Sequence, residues 1–125
     1  MHRDPHTLGR AGEQLAAEYL ASKGYRIVKR NFRSHRNEID IVALNGNILC
    51  FIEVKTRLSL EKGHPAEAVT PQKQKEIIKA AKAYLLTLDN AEPDCRFDVV
   101  TILLETTGGH PIIEHFPDAF REELR

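Results

Sequence analysis

Apolar positions along the chain change period several times, and each change marks an element. Between residues 7 and 23, Leu8, Gly12, Leu15, Ala16, Tyr19 and Leu20 fall on one arc at helical spacing, so a first helix is predicted there. Thr7 is its candidate N-cap and Gly24 its left-handed C-terminal cap. Glu13 lies on the margin of the arc, where a side chain is half buried. Residues 25–32 read as a strand through Tyr25, Ile27 and Val28. Residues 38–44 and 48–56 are the clearest strands, joined by Asn45-Gly46-Asn47. Asn-Gly between apolar runs signals a hairpin because both residues tolerate positive φ. A loop follows over residues 57–69, with one helical turn near residues 65–69. A second helix begins at the Thr70 cap and Pro71, carries the stripe Ile77, Ile78, Ala81, Tyr84, Leu85 and Leu88, and stops at Asp89-Asn90. Residues 96–105 and 111–116 read as strands around a turn at 107–109, and residues 118–124 as a short terminal helix.

The order α-β-β-β-α-β-β, with a strand–helix–strand crossover from residue 56 to 96, predicts an α/β fold. Its expected core is a mixed β-sheet of about five strands flanked by helices. A chain of 125 residues suits a single domain over 1–125, with residues 1–6 as an N-terminal tail. The 42% hydrophobic and 29% charged content excludes disordered and fibrous classes. No apolar run approaches membrane-spanning length, and the N-terminus lacks the apolar stretch of a signal peptide. Cys50 and Cys95 make neither a disulfide framework nor a metal-ligand pair, so a reducing cytoplasmic location is expected.

Equal numbers of basic and acidic residues, 18 each, argue at first against a polyanion partner. The distribution changes that picture. Residues 1–36 hold 8 basic and 3 acidic residues, and residues 54–82 hold 7 and 3. Between them, residues 37–53 carry three acids, Glu38, Asp40 and Glu53, and no base. Residues 83–125 hold 3 basic and 9 acidic residues, which restores neutrality. One reading is a patchy solvated surface. The other is a carboxylate site between cationic walls, suited to a polyanion held near a metal.

Strand period two sorts the side chains. Glu38, Asp40, Val42 and Leu44 share one face of their strand, and Phe51, Glu53 and Lys55 one face of the next. Ile39, Ile41 and Ala43, with Cys50, Ile52 and Val54, point the other way. An even register gathers Glu38, Asp40, Glu53 and Lys55 in one patch, whichever two residues form the turn tip. A bulged three-residue turn would separate them. Carboxylates on neighbouring strands repel, and a divalent cation removes the conflict. Mg²⁺ takes hard oxygen ligands and keeps several waters. Asp40, Glu53 and the Val54 carbonyl would supply protein oxygens. Lys55 would orient or help deprotonate a water that attacks a phosphodiester, with Glu13 and Glu38 in support. The competing reading is the solvated face of an antiparallel sheet with an ordinary Glu–Lys ion pair. The apolar character of both strands favours a covered, central position, where charges need a reason.

Asp40 followed by Glu53-Val54-Lys55 resembles the PD-(D/E)XK nuclease motif, with Ile39-Asp40 in place of Pro-Asp. More closely, Gly9-Arg10-Ala11-Gly12-Glu13, Arg30-Asn31-Phe32-Arg33, Asn37-Glu38-Ile39-Asp40-Ile41-Val42 and Phe51-Ile52-Glu53-Val54-Lys55-Thr56-Arg57 resemble the YraN family. These are predicted endonucleases similar to archaeal Holliday junction resolvases. Ala68-Val69-Thr70 with Lys73, and Cys95-Arg96-Phe97-Asp98-Val99-Val100, extend the likeness over roughly residues 9–120. It implies a restriction-endonuclease-like core, a Mg²⁺ or Mn²⁺ site at Asp40 and Glu53, Lys55 as catalytic lysine and Glu13 as first-helix acid. Lys73, with Gln72 as the nearby alternative, falls where that superfamily often places an extra Lys or Gln. Asn37 stands where the family commonly has Gly; Asn tolerates positive φ.

The expected activity is metal-dependent cleavage of DNA, including branched DNA, with Arg33, Arg36, Arg57, Lys73 and Gln72 as nucleic-acid contacts. Symmetric cutting of two strands would call for a homodimer. The main alternative is a non-catalytic nucleic-acid-binding or adaptor module on the same fold. A small-phosphate hydrolase ranks third, because no Gly-rich phosphate loop is present. His35, His64 and His110 read as surface loop residues, Cys50 as a packed core thiol and Asp98 as a structural carboxylate.

Overall fold

A computed structural model describes residues 5–61 and 63–122. The first helix, α1, spans Pro5–Ser22. It starts before Thr7, so Thr7 lies inside it and His6 is helical rather than part of a tail. Residues 1–4 of that expected tail lie outside the described residues. The C-terminal end is as expected: Gly24 takes φ 91, the Tyr25 N–H reaches Leu20 O and the Gly24 N–H reaches Ala21 O. This pair of bonds is a Schellman cap.

Strands β1 (Arg26–Ser34), β2 (Asn37–Asn45) and β3 (Ile48–Arg57) form an antiparallel meander. Asn45 pairs with Ile48, so Gly46-Asn47 is the turn tip, with Gly46 at φ 61. A 3₁₀ turn, Pro65–Ala68, leads into helix α2 (Pro71–Leu85). The Thr70 side chain caps α2 by accepting from the Lys73 N–H. The helix ends at Leu85, and single turns carry the chain through Leu88, short of the expected stop at Asp89-Asn90. Strand β4 (Asp94–Leu103) then runs parallel to β3, and β5 (Ile112–Phe120) closes the sheet antiparallel to β4. The sheet is mixed, in the order β1-β2-β3-β4-β5.

The expected terminal helix is corrected. Asp118, Ala119 and Phe120 belong to β5, and Phe120 pairs with Phe97. Its ring stacks on Phe97 with centroids 5.1 Å apart. Burying that ring favours continuing the strand. Residues 123 and 124 lie outside the described residues.

The two helices cover opposite faces of the sheet. Ala16, Ala17 and Leu20 of α1 pack with Ile41, Ala43, Cys50, Ile52, Val54, Val100 and Ile102. Ile77, Ala80 and Ala81 of α2 pack with Val42, Leu49, Phe51, Val99 and Phe120. Strand β3 is buried along almost its whole length, as a central strand covered on both sides must be. Gly12 brings α1 close to β3: a Cβ there would lie 1.8 Å from Thr56 Oγ1. Among the described residues no helix is long and apolar enough to cross a membrane.

One side chain breaks the expected alternation. Ile39 packs in the α2-side cluster with Val42, whereas Ile41 and Ala43 pack on the α1 side. Alternation therefore fails between residues 39 and 41, at Asp40. The expectation that Ile39 shares a face with Ile41 is corrected.

Candidate active site

Asp40 sits where two ladders loosen. The β2–β3 register runs from Asn45↔Ile48 to Ile41↔Ile52. One step further, the Asp40 side chain rather than a main-chain carbonyl takes the Val54 N–H, with Oδ2 at 2.8 Å. This bond aims the carboxylate along the sheet toward β3, in step with the local loss of alternation. Glu53 follows Ile52, the last residue of β3 paired with β2, and so lies beside Asp40 where the ladder ends.

Glu53 is 3% exposed. A buried carboxylate needs partners, and two ammonium groups supply them. Lys55 Nζ lies 3.3 Å and Lys73 Nζ 3.8 Å from Glu53 Oε2. Lys55 comes from the same strand and Lys73 from the first turn of α2. Burial, and then the charge of Glu53, push the Asp40 carboxyl well above the ordinary carboxylate range, against the pull of the Val54 N–H. The two carboxyl groups are near enough to interact directly.

Glu13, half buried on α1, faces the same region. Burial, and then the charge of Glu38, raise its carboxyl; Arg30 and a hydrogen bond from Asn31 oppose them. With its amide nitrogen turned toward the acids, Asn31 donates to Glu13 Oε1 at 2.7 Å and Glu38 Oε1 at 3.1 Å. Glu38 also lies 3.7 Å from Arg33 Nε. Asp40, Glu53 and Lys55 thus meet on the two central strands, while Glu38 reaches this region through Glu13 and Asn31 and not through the even register, which is interrupted at Asp40.

The expected nucleic-acid contacts are more scattered. Lys73 is held at the site. Arg33 is 74% exposed beside Glu38, and Arg36 is exposed in the β1–β2 turn. Arg57, at the end of β3, donates to the Thr56 carbonyl at 3.2 Å, and its buried Nε has no hydrogen-bond partner among the described residues. Gln72 is exposed on the first turn of α2 and has no hydrogen bond to the site among the described residues. Lys73, rather than Gln72, therefore reaches Glu53. The left-handed residue of the β1–β2 turn is His35 (φ 56), and Asn37 pairs with Ser34 inside the ladder. Asn37 thus meets no demand for the backbone freedom of Gly.

The roles of two residues escaped the sequence reading. Asn31 is a poor strand former inside β1, and that misfit was the available signal. His115 gave none; it is a partner of Asp98, which is fully buried. Asp98 accepts from Arg96 at 2.8 and 2.9 Å, lies 2.8 Å from His115 Nε2 and accepts from the Asp118 N–H at 3.0 Å. Arg96 also donates to the Tyr25 hydroxyl at 2.7 Å. His64 is more than a surface histidine, because its Nδ1 caps the 3₁₀ turn and its Nε2 meets Glu114.

Among the described residues no three His, Cys, Asp or Glu side chains converge on a point that could hold a metal ion. Mg²⁺ does not require three, since one or two carboxylates with retained waters commonly suffice. The hard-oxygen pair of Asp40 and Glu53 fits such an ion chemically, and the repulsion that raises the Asp40 carboxyl is what a cation relieves.

Fold and site together define an α/β protein whose central strands carry a lysine-flanked pair of carboxylates. The model of the uncharacterised protein family UPF0102 matches residues 12–102. The chain belongs to that family, which meets the YraN-like expectation at this level. A UPF0102 protein of Chlorobium limicola is 69% identical, with 98% of each chain covered. One from Chlorobium phaeobacteroides is 58% identical over 98% of this chain and 100% of its own length. Another, from Chlorobaculum tepidum, is 58% identical over 93% of each chain.

Proposed function

We propose that this protein is a Mg²⁺- or Mn²⁺-dependent endonuclease of the PD-(D/E)XK type acting on DNA, built as a single domain. The observation that carries the reading is the buried Asp40 carboxyl, held by the Val54 N–H beside Glu53, where burial and then the charge of Glu53 raise it. Carboxyls raised by burial and a like charge cluster where a cation or a substrate uses them. Asp40 and Glu53 would hold the cation, with the Val54 carbonyl as a further oxygen. When bound, the ion would supply Lewis-acid stabilisation of charge on the phosphodiester.

The chain's own residues have distinct tasks. The Val54 N–H fixes the Asp40 carboxylate. Lys73 shares Glu53 with Lys55, so Lys55 need not spend its whole charge on Glu53. Its ammonium, on a side chain 24% exposed, is left to orient a water and hold its proton. Arg33, Arg36 and Arg57 would contact phosphates, and symmetric cutting would pair two copies about a two-fold axis.

One observation favours a second reading. Glu53 already has two ammonium partners, so the cluster is partly neutralised without any ion. That suits a nucleic-acid-binding module that does not cut. Titration of Mg²⁺ and Mn²⁺ against plasmid, flap, single-stranded and four-way-junction DNA separates the two. The expected result is metal-dependent cleavage that Asp40→Asn and Lys55→Ala each reduce roughly 10²-fold or more, with folding retained. Cleavage unchanged in both purified variants would refute the mechanism, and metal-independent binding without cutting would favour the module.

A further inference from the structure

We propose that Asn31 is a positioning residue, clamping Glu13 of α1 to Glu38 of β2 so that both acids support the Asp40–Glu53 site. The inference rests on the metal-site reading above and adds to it a residue outside the set Asp40, Glu53 and Lys55.

Three observations meet at Asn31. It lies inside β1, yet its φ is 53. Asn tolerates this region better than other non-glycine residues, and inside a strand such a conformation persists where the surroundings impose it. Its amide is the second observation. One NH₂ group carries two donors, and two carboxylate oxygens lie 2.7 and 3.1 Å from it. A neutral double donor satisfies two like-charged acids without bringing a cation that would compete with a metal. The third is its place in the sheet. The β1–β2 pairing passes from Arg30↔Ile41 to Phe32↔Ile39, with Asn31 across from Asp40. That is the point where side-chain alternation along β2 fails. The left-handed turn at Asn31 and the turned-out carboxylate at Asp40 therefore form one local irregularity. Asn31 is itself exposed, so the clamp stands at the rim of the site.

Asn31→Gly tests this, because Gly keeps the left-handed backbone and removes only the amide. Mn²⁺ binding by calorimetry and single-turnover DNA cleavage are measured on the wild type, Asn31→Gly, Glu13→Gln/Glu38→Gln and the triple variant. The expected result is about 10-fold weaker Mn²⁺ binding in Asn31→Gly. Cleavage should fall at limiting Mn²⁺ and recover at saturating Mn²⁺. In the Glu13→Gln/Glu38→Gln background the same change should have no further effect, a coupling that a general packing role does not produce. Asn31→Asp is the companion variant, read by thermal unfolding. It keeps the shape and loses the donor, so its midpoint should fall and be recovered by adding Glu13→Gln.

Wild-type Mn²⁺ affinity and cleavage in Asn31→Gly, or additive effects in the triple variant with no recovery of Asn31→Asp, would overturn the clamp and leave the nuclease reading standing. A wild type that binds Mn²⁺ with the expected coupling but cuts no DNA would overturn the nuclease reading and keep the clamp. A wild type that neither binds nor cuts would overturn both.

Discussion

Asp40 and Asp98 are aspartates at the central part of one sheet, and their surroundings treat the charge in opposite ways. Burial acts on both. At Asp98 it is outweighed by hydrogen bonds from His115, Arg96 and the Asp118 N–H, which hold the carboxyl below its ordinary value. At Asp40 it is reinforced by Glu53, which pushes the carboxyl up. The signs of the linkage follow. Asp98, depressed on folding, contributes stability above its unfolded pKa of about 3.9, and that contribution is lost as pH falls through the folded value. Acid unfolding of Asp98→Asn should therefore depend less on pH in this range than that of the wild type. At pH 7, Asp98→Ala should cost about 3–5 kcal/mol by chemical denaturation, because it strands the buried side of Arg96. Asp40, raised on folding, favours the fold at low pH and weighs against it as pH rises through the folded value. Without metal at neutral pH, Asp40→Asn should raise the urea midpoint even as it removes cleavage. Mg²⁺ should raise the unfolding temperature of the wild type and leave that of Asp40→Asn unchanged. A destabilised metal-free Asp40→Asn would remove the argument that the pair is strained.

Elements whose signals are local matched their expectations most closely. Thr70-Pro71 starts α2, Gly24 ends α1, and Asn45-Gly46-Asn47 makes the hairpin, because capping and positive φ are decided within a few residues. The last element went the other way. Residues after Phe116 have no strand alternation of their own. They continue β5 because Phe120 finds a ring to stack on across the sheet, and because the Asp118 N–H finds Asp98. Phe120→Ala should accordingly cost about 3 kcal/mol in a denaturation experiment. A loss under 1 kcal/mol would mean that the strand extension is held by its hydrogen bonds alone. The early end of α2 has a similar cause, since Leu88 still packs on the α2-side cluster from a non-helical turn.

At the scale of the whole molecule, formal neutrality hides a division of labour. Lysines from two elements meet at Glu53, while the acidic C-terminal part carries its own partners, Asp98 with Arg96 and Asp118 with Arg121. Arg33, 74% exposed although it lies beside Glu38, and the exposed Arg36 are the cations that the proposed function assigns to a polyanion. If Arg33 and Arg36 both touch phosphates, Arg33→Ala/Arg36→Ala should lower the slope of log K against log salt for duplex DNA by roughly 2. An unchanged slope would place the nucleic acid elsewhere on the surface.

The sequence by itself determined the order of elements up to β5, the central place of β2 and β3, and the nearness of Asp40, Glu53 and Lys55. Period and turn chemistry carry that information over short distances, and an even register follows from a two-residue turn. The choice of Lys73 over Gln72 and the approach of Glu13 over Gly12 were decided only by packing between elements distant in the chain. The bridge at Asn31 and the break of alternation at Asp40 also belong to tertiary structure. Period two treats every strand residue alike, and departures from it arise where neighbouring strands and a helix compete for the same side chain.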